Sequence, residues 1–120
     1  MAVLFVEYPK CGTCKKAKRW LDEHGVDYVD RHIVEENPSA DELAEWLEDS
    51  GLGVRRLFNT RGMKYRELGL KARLDEGMEV GECLDLLATD GMLVKRPILV
   101  GEGFVLVGFK EAEWEKALLA

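Results

Sequence analysis

Cys11 and Cys14 stand three residues apart in Cys11-Gly12-Thr13-Cys14, after an apolar stretch and before a lysine-rich helical pattern. Thiols at that spacing lie one helical turn apart, so one can attack a disulfide formed on the other. At the start of a helix, unpaired backbone N–H groups and the positive end of the dipole face the first sulfur and favour its thiolate. Lys10 and Lys15 add positive charge, and such surroundings lower a cysteine pKa from ~8.5 into the range of roughly 3.5–7.5. A fall to about 7 raises the thiolate fraction at neutral pH from ~3% to ~50%, about 2 kcal/mol in relative protonation energy. The expected chemistry is thiol-disulfide exchange, with Cys11 attacking and Cys14 resolving.

Zinc is the rival chemistry for such a pair. It needs four ligands, usually a second Cys pair or a His pair, whereas this chain offers Cys83 and two histidines on other elements. No metal site is expected. Cys83 falls on the apolar stripe of a helix and reads as a small core residue. His24, at the end of the first helix, suits the negative dipole end, and His32 lies late in a strand among charged residues, so neither is expected to act as a base.

The elements that must position the pair follow from the apolar pattern. Ala2 to Val6 reads as a buried strand ending at the turn signals Pro9 and Gly12. Cys14, Ala17, Trp20 and Leu21 repeat with helical spacing, and Gly25 stops that helix. Val26 to Val34 forms a second strand, closing at Asn37-Pro38, which completes a β-α-β unit with parallel strands. Ser39 with Glu42 is a capping box for a helix whose stripe is Leu43, Ala44 and Leu47. Short helical pieces broken by glycines fill Val54 to Met78, and Val80, Cys83, Leu84, Leu87 and Ala88 mark a further helix. Ile98 to Val100, the turn Gly101-Glu102-Gly103, and Phe104 to Val107 make a hairpin, before a final helix from about Lys110 that packs Ala112, Ala117 and Leu118. The order β-α-β, helical insert, β-β-α is that of an α/β, thioredoxin-like fold with a four-stranded mixed sheet. A single domain over 1–120 is expected, with its core in 1–37 and 94–120 and the helical insert in 38–93.

In that fold the loop before the third strand faces the cysteines. Pro97 begins this strand, where a proline is tolerated only as first residue or at a special turn, and it is a candidate for a cis peptide. Arg96 then projects beside Cys11, where it can stabilise the thiolate or bind an anionic substrate.

The chain has 120 residues and a net charge of −6, one domain's length with room for a real core. Its longest wholly apolar run, Ala2 to Val6, is far short of the ~20 residues of a membrane helix, and no signal-peptide pattern follows. Neither membrane association nor bulk DNA binding is expected, and the expected location is the cytoplasm. The net charge hides three acid-free windows, Lys10 to Arg19, Arg55 to Arg66 and Lys95-Arg96, which hold twelve of the seventeen bases. An anionic substrate is therefore compatible with an acidic protein.

Tyr8-Pro9-Lys10-Cys11-Gly12-Thr13-Cys14-Lys15-Lys16-Ala17, Asn59-Thr60-Arg61-Gly62, Tyr65 with Glu67-Leu68-Gly69-Leu70, Asp90-Gly91-Met92-Leu93, Lys95-Arg96-Pro97-Ile98 and Val107-Gly108-Phe109 occur in this order. Together they resemble the ArsC/Spx family, the arsenate-reductase-like branch of the thioredoxin-like superfamily, over nearly the whole chain. The resemblance implies Cys11 as nucleophile with Arg96-Pro97 facing it, and Lys15, Arg61 and Pro97 as substrate- or anion-binding residues. It implies no bound cofactor, but glutathione or another small thiol as co-substrate, with glutaredoxin or thioredoxin as partner. Arsenate-reducing members hold the oxyanion with three arginines. Arg96 matches one, whereas Asn59 and Gly108 stand at the other two, and Cys14 stands where those members usually have serine. The Spx side of the family implies an alternative, a redox-sensing regulator that binds the RNA polymerase alpha subunit. There the residues after Gly53 are acidic, whereas here they are Val54, Arg55 and Arg56.

Overall fold

The computed structural model describes residues 2–119. Strand β1, Val3–Glu7, lies at the centre of a four-stranded sheet of order β2-β1-β3-β4. It pairs in parallel with β2, Tyr28–His32, and antiparallel with β3, Ile98–Gly101, which in turn pairs antiparallel with β4, Phe104–Val107. This is the mixed sheet expected from the β-α-β and β-β-α order. The second strand is shorter than its apolar pattern suggests, because flanking residues have other partners. Val26 N–H bonds the carbonyl of Leu21 at the end of the preceding helix, and Asp27 and Ile33 make single bonds to the ends of β1.

Side chains of a strand alternate between faces, and the two faces of this sheet carry two cores. Phe5 and its cross-strand partner Leu99 point toward α1, Gly12–Glu23, and α6, Glu111–Leu118, where they meet Ala17, Trp20, Leu21 and Trp114. Val6, Ile98 and Val107 point the other way, into a core shared with the chain between Pro38 and Val94. That face is covered by α2, Ala40–Ser50, and α5, Val80–Leu87, with the short helices α3, Met63–Glu67, and α4, Leu70–Asp75, between them. Two 3₁₀ turns, Val54–Leu57 and Gly91–Leu93, complete the path.

Ser39 and Glu42 form the expected reciprocal cap of α2. Glu42 also takes a two-pronged hydrogen bond from Arg31 at 2.7 and 2.9 Å, and Arg31 lies over the ring of Trp46. The buried residues of α2 are Leu43 and Trp46, not Ala44, which is exposed. On α6 the buried residue is Trp114, whereas Ala112 and Ala117 are exposed. In both helices the indole, which removes far more apolar area from water than an alanine, sets the inward face. Leu118, one turn beyond Trp114, shares that face. Trp114 stacks edgewise against Phe5, Trp20 and Phe109, and its Nε1 donates to Gly108 O at 3.1 Å.

Gly91 is buried, and a Cβ there would overlap the backbone carbonyl of Ile33, the residue that follows β2. Neither backbone has a flexible end to yield. Gly91→Ala should therefore lower unfolding free energy by about 1–3 kcal/mol through overpacking, read as a lower denaturant midpoint at unchanged slope.

Candidate functional site

Cys11 is the N-cap of α1, in extended backbone conformation, and its N–H bonds the Tyr8 carbonyl at 2.9 Å. No side chain caps this helix and no acid lies in its first turn. The N–H groups of the first turn are thus left to the sulfur and the positive dipole end is not neutralised. Cys11 is half-buried at the surface, while Cys14, one turn on, is wholly buried on the stripe of α1 that continues through Ala17 and Leu21.

Arg96 comes from the loop before β3, where the Arg96-Pro97 peptide is cis and Pro97 is buried. Its Nη1 donates to Met92 O at 3.3 Å and its guanidinium lies 5.1 Å from the centre of the Tyr8 ring. Held on these two sides, it favours the Cys11 thiolate by its positive charge. Burial works against a Cys11 thiolate, but the N–H and thiol of Cys14, the Arg96 guanidinium and the Thr13 N–H outweigh it. Cys11 is held below the ordinary thiol value. Burial pushes Cys14 the other way, up to about 12, against the Tyr8 N–H that favours its thiolate, and the neighbouring Cys11 and Glu7 add to the rise. One thiol is prepared as an accessible nucleophile and the other is stored as a protonated thiol.

Between Thr13 of the cysteine turn and Arg96 opens a cleft of about 230 Å³, lined further by Arg56, Lys95, Val107, Gly108, Phe109 and Lys110. Four cations converge on it. Gly108, with φ +82°, holds a left-handed conformation that side chains rarely adopt, and a Cβ there would only touch the Lys95 stem at 3.5 Å. On the other side of Arg96 a more apolar cleft of about 350 Å³ includes Asn59, Met63 and Met92. A larger hollow of about 490 Å³, between Tyr65, Leu70 and Asp75, contains no cysteine and lies apart from this chemistry.

The structure thus brings together Cys11, Cys14, Arg96 and Pro97. Lys15, four residues along α1 from Cys11 and with its N–H on the Cys11 carbonyl at 3.0 Å, stays near that end of the helix but is exposed and lines neither cleft. Arg61 is exposed in the loop before α3 and also lines neither. From the sequence, Arg55, Arg56 and Arg61 could either close over the pocket or only decorate the insert, and of these Arg56 lines the cleft; Lys95 and Lys110 were missed as cleft residues. Arg56 and Lys95 lay in recognised basic windows, but only the fold shows which members of a window point inward. The burial of Glu7, a carboxylate closing an apolar strand, was also not foreseen.

His24 stacks on Trp20 with its Nδ1 2.8 Å from Trp20 O, and His32 Nδ1 accepts the N–H groups of Val34 and Glu35. Both serve local structure. Cys83 is buried in the core on the far face of the sheet. Among the described residues, no three His, Cys, Asp or Glu side chains gather as a metal would require, and no helix is long and apolar enough to cross a membrane.

The sheet order and a cysteine pair at its first strand-to-helix junction define a thioredoxin-like protein. Within that class the chain belongs to the ArsC family, which it matches over residues 6–117. It is 53% identical to YusI of Bacillus subtilis, with 97% of this chain and 98% of the relative covered. The regulatory protein MgsR of the same organism is 34% identical over 91% and 84%. Global transcriptional regulator Spx 2 of Bacillus cereus is 31% identical over 98% and 87%. Among solved structures, an ArsC family related protein from Bacteroides fragilis superposes with a TM-score of 0.93 at 52% identity, covering 97% of both chains. A possible arsenate reductase from Streptococcus mutans gives 0.87 at 44% identity, covering 97% and 98%.

Alkylation rate followed against pH should show Cys11 titrating below ~8.5, the free-cysteine value, with Cys14 unreactive across the neutral range. Arg96→Ala should move the Cys11 inflection upward, since it removes a positive charge that favours the thiolate. An inflection at or above the free value in the wild type contradicts the assignment.

Proposed function

We propose that this protein is a thiol-disulfide oxidoreductase acting on a small anionic thiol or its mixed disulfide. The observation that carries this reading is the opposite preparation of the two cysteines, one accessible and depressed, the other buried and raised. The Cys11 thiolate attacks a disulfide R–S–S–R′, forming Cys11–S–S–R and releasing R′S⁻. Cys14 then gives up its proton to solvent and attacks the Cys11 sulfur, forming the Cys11–Cys14 disulfide and releasing RS⁻. An external dithiol, such as a thioredoxin or glutaredoxin, returns the pair to the reduced state.

Arg56, Lys95, Arg96 and Lys110 suit the carboxylates of a glutathione-like thiol, with no bound cofactor or metal in the scheme. An arsenic oxyanion is a less suitable occupant. Of the three arginine positions the family resemblance implies, only Arg96 is filled, and the exposed Arg61 does not supply a second. The setting for this chemistry is the cytoplasm, where such thiols are kept reduced.

A second reading, a redox-sensing regulator that binds RNA polymerase, is supported by the names of MgsR and Spx 2 among the relatives. Charge speaks against an identical interface, because the surface after Gly53 carries Arg55, paired to Asp75 at 2.8 Å, and Arg56, turned into the cleft.

Turnover of a mixed glutathione disulfide, coupled to a thioredoxin system, separates the two. Cys11→Ser should abolish turnover, and Cys14→Ser should trap a mixed disulfide on Cys11, visible as an added mass. Saturable binding to the polymerase alpha subunit without turnover would favour the regulator, and full activity of Cys11→Ser would remove Cys11 as nucleophile.

A further inference from the structure

Two clefts share Arg96 as a wall, and the exchange described above gives a role to only one of them. The cationic cleft carries Arg56, Lys95, Arg96 and Lys110 and no acid. The other, of about 350 Å³, is lined besides Arg96 by Asn59, Gly62, Met63, Lys64, Glu67 and Met92. Lys64 and Glu67 are opposite in sign, which leaves a neutral amide and two thioethers to set its character. Its volume falls within the range of ~300–1,000 Å³ found for small-ligand pockets.

Folding does not account for these two methionines. Met63, at 75% exposure, is the most exposed large apolar side chain among the described residues, and neither it nor Met92 packs into either core. The backbone beneath them is nevertheless tied down. The Asn59 N–H donates to Leu93 O at 2.7 Å, and the Gly62 N–H closes the turn onto Asn59 O at 3.1 Å. A Cβ at Gly62 would lie 2.9 Å from Asn59 Nδ2, closer than side chains pack, so this turn closes tightly only with glycine. On the other side, Met92 O accepts from Arg96 Nη1 at 3.3 Å. The segments that carry Met63 and Met92 are thereby joined to one another and to Arg96, and the cleft between them is preformed.

We propose that the cleft between Met63 and Met92 is a second subsite, which seats an apolar side chain next to the cysteine of a peptide disulfide while the cationic cleft holds the anionic half. A disulfide under attack has one half that becomes bonded to Cys11 and one that leaves, and both need a place at once. An anionic second half would meet no surplus positive charge in the methionine cleft beyond Arg96, which the first half already engages. An apolar side chain would cover the exposed Met63 instead. The unbranched, polarizable thioether adapts to surfaces of different shape, so the subsite selects apolar character rather than one particular side chain. In the exchange, R is the anionic thiol and R′ the peptide. Cys11 bonds to the sulfur of R, the original S–S bond breaks, and the peptide cysteine leaves as a thiolate with the electron pair and takes a proton from solvent.

This inference rests on the oxidoreductase reading, and one experiment separates the two. The probes are blocked peptides with a central cysteine flanked on both sides by Leu, Ser or Asp, each as its mixed disulfide with glutathione. Reduced protein in excess is mixed with each near neutral pH, and released peptide thiol is measured by quench and chromatography. Each rate is divided by that of dithiothreitol with the same disulfide, which removes differences between the leaving thiols. Wild type should favour the Leu peptide over the other two about tenfold, as expected when roughly half a leucine side chain leaves water. Met63 is so exposed that Met63→Gln should not disturb folding. That variant should cut the preference to about twofold, whereas Met63→Leu should keep it. Lys110→Ala should slow all three peptides by similar factors and keep the preference. Indifference of the wild type to the flanking residues, a preference that Met63→Gln leaves intact, or one that Lys110→Ala removes as well overturns the subsite while the oxidoreductase reading stands. If no disulfide releases peptide thiol faster than it does with the Cys11→Ser protein, the oxidoreductase reading fails and the subsite falls with it.

Discussion

The site depends on a helix that begins without a cap. At α1 the first-turn N–H groups have no side-chain acceptor and no acid to oppose the dipole, so the sulfur of Cys11 becomes their natural anion. Everything nearby serves to keep that end of the helix in place and open. Phe5 and Trp114 hold α1 against the sheet, the cis loop delivers Arg96 to the same sulfur, and Tyr8 and Met92 hold the guanidinium. A capping aspartate at residue 11 would satisfy the same N–H groups and leave no nucleophile.

The two cysteines illustrate how one turn of helix divides inside from outside. Residue 11 sits where the chain leaves the sheet, and residue 14 is the first on the buried stripe. Hydrogen bonding outweighs desolvation at one thiol and is overruled by it at the other. Their difference is a property of the fold, since the spacing alone treats the two sulfurs alike.

Local features were legible in the sequence. The Ser39–Glu42 cap, the cysteine pair at a strand-to-helix junction, the glycine turns and the hairpin around Gly101 to Gly103 each involve residues only a few positions apart. Features that need distant segments were not. Trp46 and Trp114 displaced alanines as the inward residues because the facing surfaces had space for an indole, which helical periodicity does not report. Arg56, Lys95 and Lys110 meet in one cleft from three separate elements, whereas the exposed Lys15 and Arg61 do not line it. The burial of Glu7 required both Asp30 on the neighbouring strand and Lys18 on the helix above.

The cationic cleft is set in a molecule whose net charge is −6, and this combination has a kinetic meaning. Far from the surface an anion is repelled by the whole protein, and only within about a Debye length, ~8 Å at physiological salt, do the nearby cations dominate. Added salt therefore acts in two opposed ways, screening the distant repulsion before it weakens the local attraction. Ionic strength becomes a filter that favours anions small enough to enter the cleft over large acidic surfaces that must face the whole molecule at once.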